Sequence, residues 1–227
     1  IAQAQMYVGA KANSVVPGSD KVKISSTTQA PSYIRFAEKG VPFQYPEKQK
    51  VSHLRKVLEL PSGYNLKSQT IETDAQGTEH HRYQLTLNNI PVEGLNVSTH
   101  AANGLLKSVT GHYYRKTAAL QSATITPQQA IAMAEQELMG SDADDSQLKQ
   151  ATPMPEMVYL FVDNSPVLCY KTDVYLQKPL QREYVYVSAH TGKVVKRTSR
   201  IFDADMNGTA QTLYSGLQPI TSEYYLG

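Results

Sequence analysis

The 227-residue sequence contains one cysteine, Cys169, so no disulfide can close within the chain. A lone cysteine inside the apolar run Val167-Leu168-Cys169-Tyr170 reads as a small core residue. A nucleophile would need an activating partner and an exposed setting, and the sequence offers neither. No apolar run is long enough to span a bilayer. Charge of one sign is also missing: 22 Lys+Arg face 20 Asp+Glu. That balance argues against a protein whose main task is gripping nucleic acid by its phosphates. The zinc-peptidase signature HExxH, the GxSxG elbow and the GxxxxGKS/T loop are all absent, and no Cys pair exists for a structural zinc. The acidic loop Asp142-Ala143-Asp144-Asp145 lacks the EF-hand spacing of glycine and glutamate and reads as solvated. The chain begins Ile1-Ala2-Gln3-Ala4-Gln5. Ala2-Gln3-Ala4 fits the small-x-small end of a secretory signal, which would make residues 1–4 its remnant.

What is present is a chain that can bury a core, at 41% hydrophobic residues. Residues 1–45 show only short alternating pieces, such as Val22-Lys23-Ile24 and Tyr33-Ile34-Arg35-Phe36, and read as an extended arm. From Pro46 the pattern turns helical: Val51, Leu54, Val57 and Leu58 share one face until Pro61 and Gly63 stop it. Four strands are predicted next, at 65–73, 80–87, 92–100 and 105–114. Turns at 74–77, Asn88-Asn89 and Asn103-Gly104 connect them. Thr126, Pro127 and Gln129 form a capping-box start for a second helix with the stripe Ala130, Ile131, Ala134, Leu138. Strands resume at 157–162, 167–176, 182–188 and 193–197. The second half thus repeats the plan of the first, a helix followed by antiparallel strands. "NVSTHAANGLLKSV" (96–109) also echoes "YVSAHTGKVVKRT" (186–198).

The stretch "EHHRYQLTLNNIPVEG" (79–94) is where metal chemistry looks nearest. Its alternation sends His81, Tyr83, Leu85 and Leu87 to one face and His80, Arg82, Gln84 and Thr86 to the other. Adjacent histidines therefore face opposite sides and do not clasp one ion as an i, i+4 pair on a helix can. Packing or hydrogen bonding on a sheet is the reading adopted, with no metal ligand assigned. The basic run Lys193, Lys196, Arg197, Arg200 suits a solvated edge strand, and alternatively a contact surface for an acidic partner.

"HHRYQLTLNNIPVEGLNVSTHAANGLLKSVTGHY" resembles the core of the fungalysin/thermolysin propeptide motif. The matching positions are His81, Tyr83, Gln84, Ile90, Pro91, Val92, Gly94, His100, Asn103 and Gly104. Glu93 stands where that family often has a bulky residue. "ITPQQAIAMAEQEL", "PVLCYKTDVY" and "REYVYVSAHTGKVVKR", the last containing Gly192, resemble a PepSY module. "NGTAQTLYSGLQPITSEYYLG" (207–227) resembles the first strands of a thermolysin-type catalytic domain.

The resemblance spans about residues 46–227 and implies the prodomain of a secreted zinc metallopeptidase. The expected fold is α+β: two modules, each a helix packed on an antiparallel sheet, the second cystatin-like, behind an extended N-terminal arm. The expected division is an arm at 1–45, a propeptide-motif module at 46–116, a PepSY-like module at 117–200, a processing linker at 201–206 and the catalytic domain from 207. Such a prodomain assists folding of its protease and inhibits it until it is cut away. The chain alone would have no catalysis and no cofactor. Zinc and calcium would belong to the catalytic domain, which would be its partner, in a bacterial secreted, periplasmic or cell-surface setting. Thermolysin-type enzymes favour a bulky apolar residue just after the cut, which makes Arg200–Ile201 and Ile201–Phe202 candidate bonds. Arg197 and Arg200 would also suit a trypsin-like activator. The alternative is a free-standing PepSY-type binding or inhibitor module, not fused to a protease.

Overall fold

The computed structural model describes residues 3–115, 120–140, 145–201, 206–212 and 216–222. The fold is α+β, with a mixed sheet and three α-helices among the described residues. The chain divides into two compact units, residues 1–122 with 157–169 and residues 123–156 with 170–227.

The first unit is built on a run of antiparallel strands. They are β1 (Gln5–Val8), β2 (Ser19–Ile24), β3 (Pro31–Phe36), β4 (Val41–Pro42), β5 (Tyr64–Thr73), β6 (Glu79–Leu87), β7 (Ile90–Ala102) and β8 (Leu105–His112). Their lateral order is β5-β6-β7-β8-β3-β2-β1, with β4 pairing β8. A ninth strand, β9 (Glu156–Val162), meets β7 through a parallel pair, Val92–Tyr159. Helix α1 (Ala10–Val15) follows β1, and helix α2 (Glu47–Val57) lies against β5.

The turns form as their residues require. Asn88 and Asn89 have φ of 49° and 66°, and Asn103 and Gly104 have 54° and 73°. Both central residues of each tight hairpin thus take the left-handed conformation that Asn and Gly tolerate best. Helix α2 ends with Glu59 at φ 51°, its N–H bonded to Lys56 O while the Leu60 N–H reaches Arg55 O. That is a Schellman closure made without glycine. Leu54, Leu58, Phe43, Tyr64, Tyr83, Leu85, Val97 and Leu106 form the centre of the core.

The N-terminal 45 residues are more than the expected extended arm. They supply α1 and four strands, and β3 pairs directly with β8 through Tyr33–Thr110, Ile34–Val109 and Arg35–Ser108. Ala12, Val16, Val22, Ile34 and Phe36 are buried there. The strands are short and β2–β3 carries two register irregularities. Long-range alternation is therefore broken in the sequence even though the pairing is regular enough to hold a core.

The second unit holds helix α3 (Pro127–Met139) and the neighbouring strands β10 (Ser165–Gln177, from Tyr170 onward), β11 (Leu180–Ser188) and β12 (Val194–Ser199). The capping box is present: Thr126 Oγ1 accepts from Gln129 N at 3.2 Å, and Gln129 Oε1 accepts from Thr126 N at 2.8 Å. Such a box satisfies two amides that a helix start otherwise leaves open. Ala130 and Ala134 are fully buried. Gly192 has φ 72°, and a Cβ there would lie 2.9 Å from Met133 Cε, so this glycine lets the β11–β12 turn seat under α3. Strands β13 (Met206–Thr212) and β14 (Gly216–Ser222) form a hairpin and, among the described residues, pair only with each other.

Candidate functional site

The residues singled out from the sequence converge on strands β5 to β8. His81 is fully buried, and both ring nitrogens are engaged: Nε2 with Ser68 Oγ at 2.7 Å and Nδ1 with Tyr83 Oη at 2.8 Å. The two rings stack at 4.0 Å between centroids. Each hydroxyl can donate or accept, so either neutral tautomer of His81 is satisfied. Burial lowers the basicity of His81, against a weaker opposing pull from Glu47, whose Oε2 lies 3.9 Å from Nδ1. Burial likewise raises the Tyr83 hydroxyl. This arrangement is a neutral polar network inside the core, and it specifies packing.

Gln84 has a different task. Starting from Leu87–Ile90 and Thr86–Pro91, a plain hairpin would set His80 opposite Val97. The alternation rules this out, because His80 lies on the outward face and Val97 on the buried one. The observed pairs are Gln84–Asn96, Arg82–Ser98 and His80–His100, a shift of three residues. The excess on β7 is a bulge at Val92–Leu95. Gln84 Nε2 fills it, donating to Val92 O at 2.6 Å, Leu95 O at 3.0 Å and, less closely, Leu85 O at 3.3 Å. Gly94 takes φ 73° with open space around it, so its backbone conformation, not crowding, favours glycine. Ile90 and Pro91 close the turn end of the hairpin opposite Leu87 and Thr86. Gly104 closes the β7–β8 turn against the side chain of Gln44, 2.9 Å from where a Cβ would sit.

The shift brings two imidazoles face to face. His80 Nδ1 and His100 Nδ1 lie 2.7 Å apart, and His80 Nε2 lies 3.0 Å from Asp74 Oδ2. Asp74 is itself fixed by its turn, Oδ1 accepting from Gln76 N at 3.0 Å and Thr78 N at 2.8 Å. The hydrogen bond from His80 holds the Asp74 carboxyl below the ordinary carboxylate range. Burial, and then the neighbouring His80, lower the basicity of His100. A groove of about 330 Å³ opens beside the pair, lined by Thr70, Glu72, Arg82 and Ser98 as well as the histidines. His80, Asp74 and Ser68 were not picked out as partners from the sequence. The signal was available in part, because the mismatch between turn register and face alternation requires a shift by an odd number of residues.

The processing candidates lie elsewhere, in the second unit. Arg197 on β12 makes a bidentate pair with Glu183 at 2.8 and 3.1 Å and a further bond to Glu137 at 3.3 Å. Arg200 donates to Asp173, which also takes a bidentate pair from Arg182 at 3.0 and 2.7 Å. Burial works to raise the Asp173 carboxyl, but the hydrogen bonds and charges of Arg182 and Arg200 outweigh it and hold it low. Arg200 N bonds Arg182 O at 2.8 Å, and the Ile201 carbonyl accepts from Ser199 Oγ at 3.0 Å. Phe202 lies outside the described residues. The arginines of the basic run are thus matched by acids within this unit.

Cys169 is fully buried and its thiol is pushed up to about 12 by burial, the setting of an unreactive core cysteine. Among the described residues, no group of three or more His, Cys, Asp or Glu is placed to hold a metal ion. No helix among them is long and apolar enough to cross a membrane.

Comparison with known proteins places these observations. Residues 64–113 match the Fungalysin/Thermolysin Propeptide Motif. No curated protein matches the chain. Among solved structures, the Bacillus megaterium YpeB C-terminal domain aligns at 12% identity and a TM-score of 0.36, covering 87% of this chain and 88% of that one. The matched segment begins at the first residue of β5 and ends just past β8, and it contains the His81 network, the Gln84 bulge and the His80–His100 pair. In residues 64–113 the chain therefore carries the propeptide motif of the fungalysin and thermolysin type.

Proposed function

We propose that the chain is the prodomain of a secreted zinc metalloprotease, acting on its catalytic domain as an intramolecular chaperone and inhibitor until proteolysis removes it. The observation that carries this reading is the propeptide motif at 64–113. Its polar positions His81 and Gln84 serve packing and register rather than catalysis. A prodomain of this kind needs a firm scaffold and a binding surface, and it needs no reactive groups of its own. Residues 46–116 would form the propeptide-motif module, 117–200 a cystatin-like PepSY module with its own helix on a sheet, 201–206 the linker, and the chain from 207 the first strands of the protease. The setting would be the exterior or periplasm of a bacterium.

The processing geometry favours a cut at the end of β12. Protease clefts take an extended, locally unfolded segment. Arg197 sits within the β11–β12 ladder, opposite Val185. Arg200 makes a backbone bond to Arg182 just past the ladder, and Ile201 follows it. Arg200–Ile201 is therefore better placed for cutting than Arg197–Thr198.

The reading is tested by adding the chain in trans to the metalloprotease catalytic domain encoded with it. Inhibition of peptide hydrolysis and a higher yield of active enzyme on refolding are expected, with weaker effects on unrelated metalloproteases. A chain that neither inhibits nor assists refolding overturns the proposal and leaves a free-standing binding module.

A further inference from the structure

The facing imidazoles of His80 and His100 have a geometry that packing alone does not require. Both are outward-facing residues on adjacent strands, directly opposite in register. Their Nδ1 atoms point at each other across 2.7 Å. Asp74 accepts from His80 Nε2, and a carboxylate has no proton of its own to give, so Nε2 carries the hydrogen. In the neutral pair, His80 Nδ1 is then a bare lone pair aimed at its partner, and His100 must hold its proton on Nδ1 to make the contact.

An imidazole whose far nitrogen donates to a fixed carboxylate, and whose near nitrogen is bare, has the outer-shell support typical of a metal-ligating histidine. Asp74 is well suited to that role because its second oxygen is tied to two turn amides. A bound ion would replace this hydrogen bond: His100 moves its proton to Nε2, with no net proton released, and the two rings turn apart from 2.7 Å so that both Nδ1 lone pairs reach the ion at about 2.0–2.1 Å. The groove beside the pair leaves room for further ligands. Glu72 lies opposite His80 on β5 and makes no hydrogen bond or ion pair among the described residues. Arg82 and Ser98 form the next row on that face.

We propose that His80 and His100 form a two-imidazole site for a borderline transition-metal ion such as Zn²⁺, Ni²⁺ or Cu²⁺. Asp74 orients His80 from outside, and water completes the coordination. Imidazole ligands select this class of ion over Mg²⁺ or Ca²⁺. With two protein nitrogens fixed, the site binds more weakly than a closed structural zinc site. Occupancy ties β6 to β7 at the end of the sheet remote from the Gln84 bulge.

The test is a titration of the full chain with ZnCl₂ at about pH 7.5, above the ordinary histidine range. It is read by calorimetry and by NMR of the histidine rings. One Zn²⁺ is expected per chain, shifting the Nδ1 signals of His80 and His100 and leaving those of His53 and His81 in place. His80→Ala and His100→Ala should each weaken binding at least about ten-fold, and Asp74→Asn about ten-fold as an outer-shell change. His112→Asn should bind as the unaltered chain does. Saturating Zn²⁺ should raise the melting midpoint of the unaltered chain, by binding the folded state alone. Failure to bind by about 1 mM Zn²⁺, the millimolar edge of specific affinity, overturns the proposal. So does binding that moves other histidine rings instead. The ring signals of the unaltered chain decide the matter even where a variant fails to fold.

Discussion

Two hairpins in this molecule carry similar sequences and are stabilised by different chemistry. The β7–β8 hairpin and the β11–β12 hairpin each have a strand, a histidine, a glycine turn and a returning strand with lysine. In the first, His100 lies four residues before Gly104 and remains in the strand, facing His80. In the second, His190 lies two residues before Gly192 and falls in the turn, where its carbonyl accepts from Thr124 Oγ1. The first hairpin belongs to a sheet with neutral imidazole and amide networks, partly in the core. The second is bordered by bidentate arginine–carboxylate pairs, with Lys196 to Ser199 exposed. The difference teaches that a shared local motif fixes a turn, while the residues opposite it decide whether the polar chemistry is buried or solvent-screened.

The largest expected effect is on the buried side. Tyr83→Ala removes a fully buried ring and leaves His81 without one partner, so a loss of about 3–5 kcal/mol is expected, as for other buried aromatic deletions. Urea unfolding measures it. A loss below that of Tyr184→Ala on the second hairpin would contradict the contrast drawn here. Gln84→Ala should cost about 1–3 kcal/mol, because the bulge carbonyls of Val92 and Leu95 lose their donor. Cross-strand NMR contacts should also show loosened pairing near the bulge.

Asp173→Asn weakens the pairs with Arg182 and Arg200, and a loss of about 1–2 kcal/mol is expected, near the range for charged hydrogen bonds. Part of this loss should vanish near 1 M salt, where screening acts within about 3 Å. The Tyr83→Ala loss should show no such salt dependence. Equal salt dependence in the two variants would erase the distinction between the hairpins.

The smallest effect is a pH slope. His81 and His100 are both less basic folded than unfolded. Below the unfolded value near 6.5, the unfolded chain therefore binds more protons, and stability falls as pH drops. Their contribution is fully present above about pH 7 and is lost progressively below it, at no more than about 1.4 kcal/mol per pH unit for each histidine. Asp74, Asp173 and Glu183, all held low, add losses in the same direction only near and below about pH 4. Denaturant midpoints between pH 7.5 and 5 should fall in the unaltered chain and fall less in His100→Gln.

Much of this architecture was legible because it rests on short-range rules. The Thr126–Gln129 capping box is a four-residue signal, and the structure forms it as read. Asn88-Asn89 and Asn103-Gly104 announce left-handed turns by composition. That His81, Tyr83 and Leu85 share one face follows from alternation alone. The N-terminal strands were harder to recognise, since their irregular register breaks the alternation on which a strand is recognised. Ser68 and Asp74 were invisible as partners because each lies in a different element from the histidine it contacts.

The sequence by itself determined helices α2 and α3, the turns, the two alternating faces of β6 and the resemblance to a propeptide motif. It also separated His80 from His81, since successive residues on a strand must face opposite sides. Tertiary structure alone decided what His80 meets instead. A bulge of fixed length, filled by the Gln84 amide, shifts β7 by three residues and sets His100 opposite. Alternation shows that an odd shift is needed, because out-facing residues must oppose out-facing residues. It does not say which odd number, since each choice preserves the faces. The carbonyls that Gln84 can reach, and the parallel Val92–Tyr159 pair that occupies the bulged segment, make that choice in three dimensions.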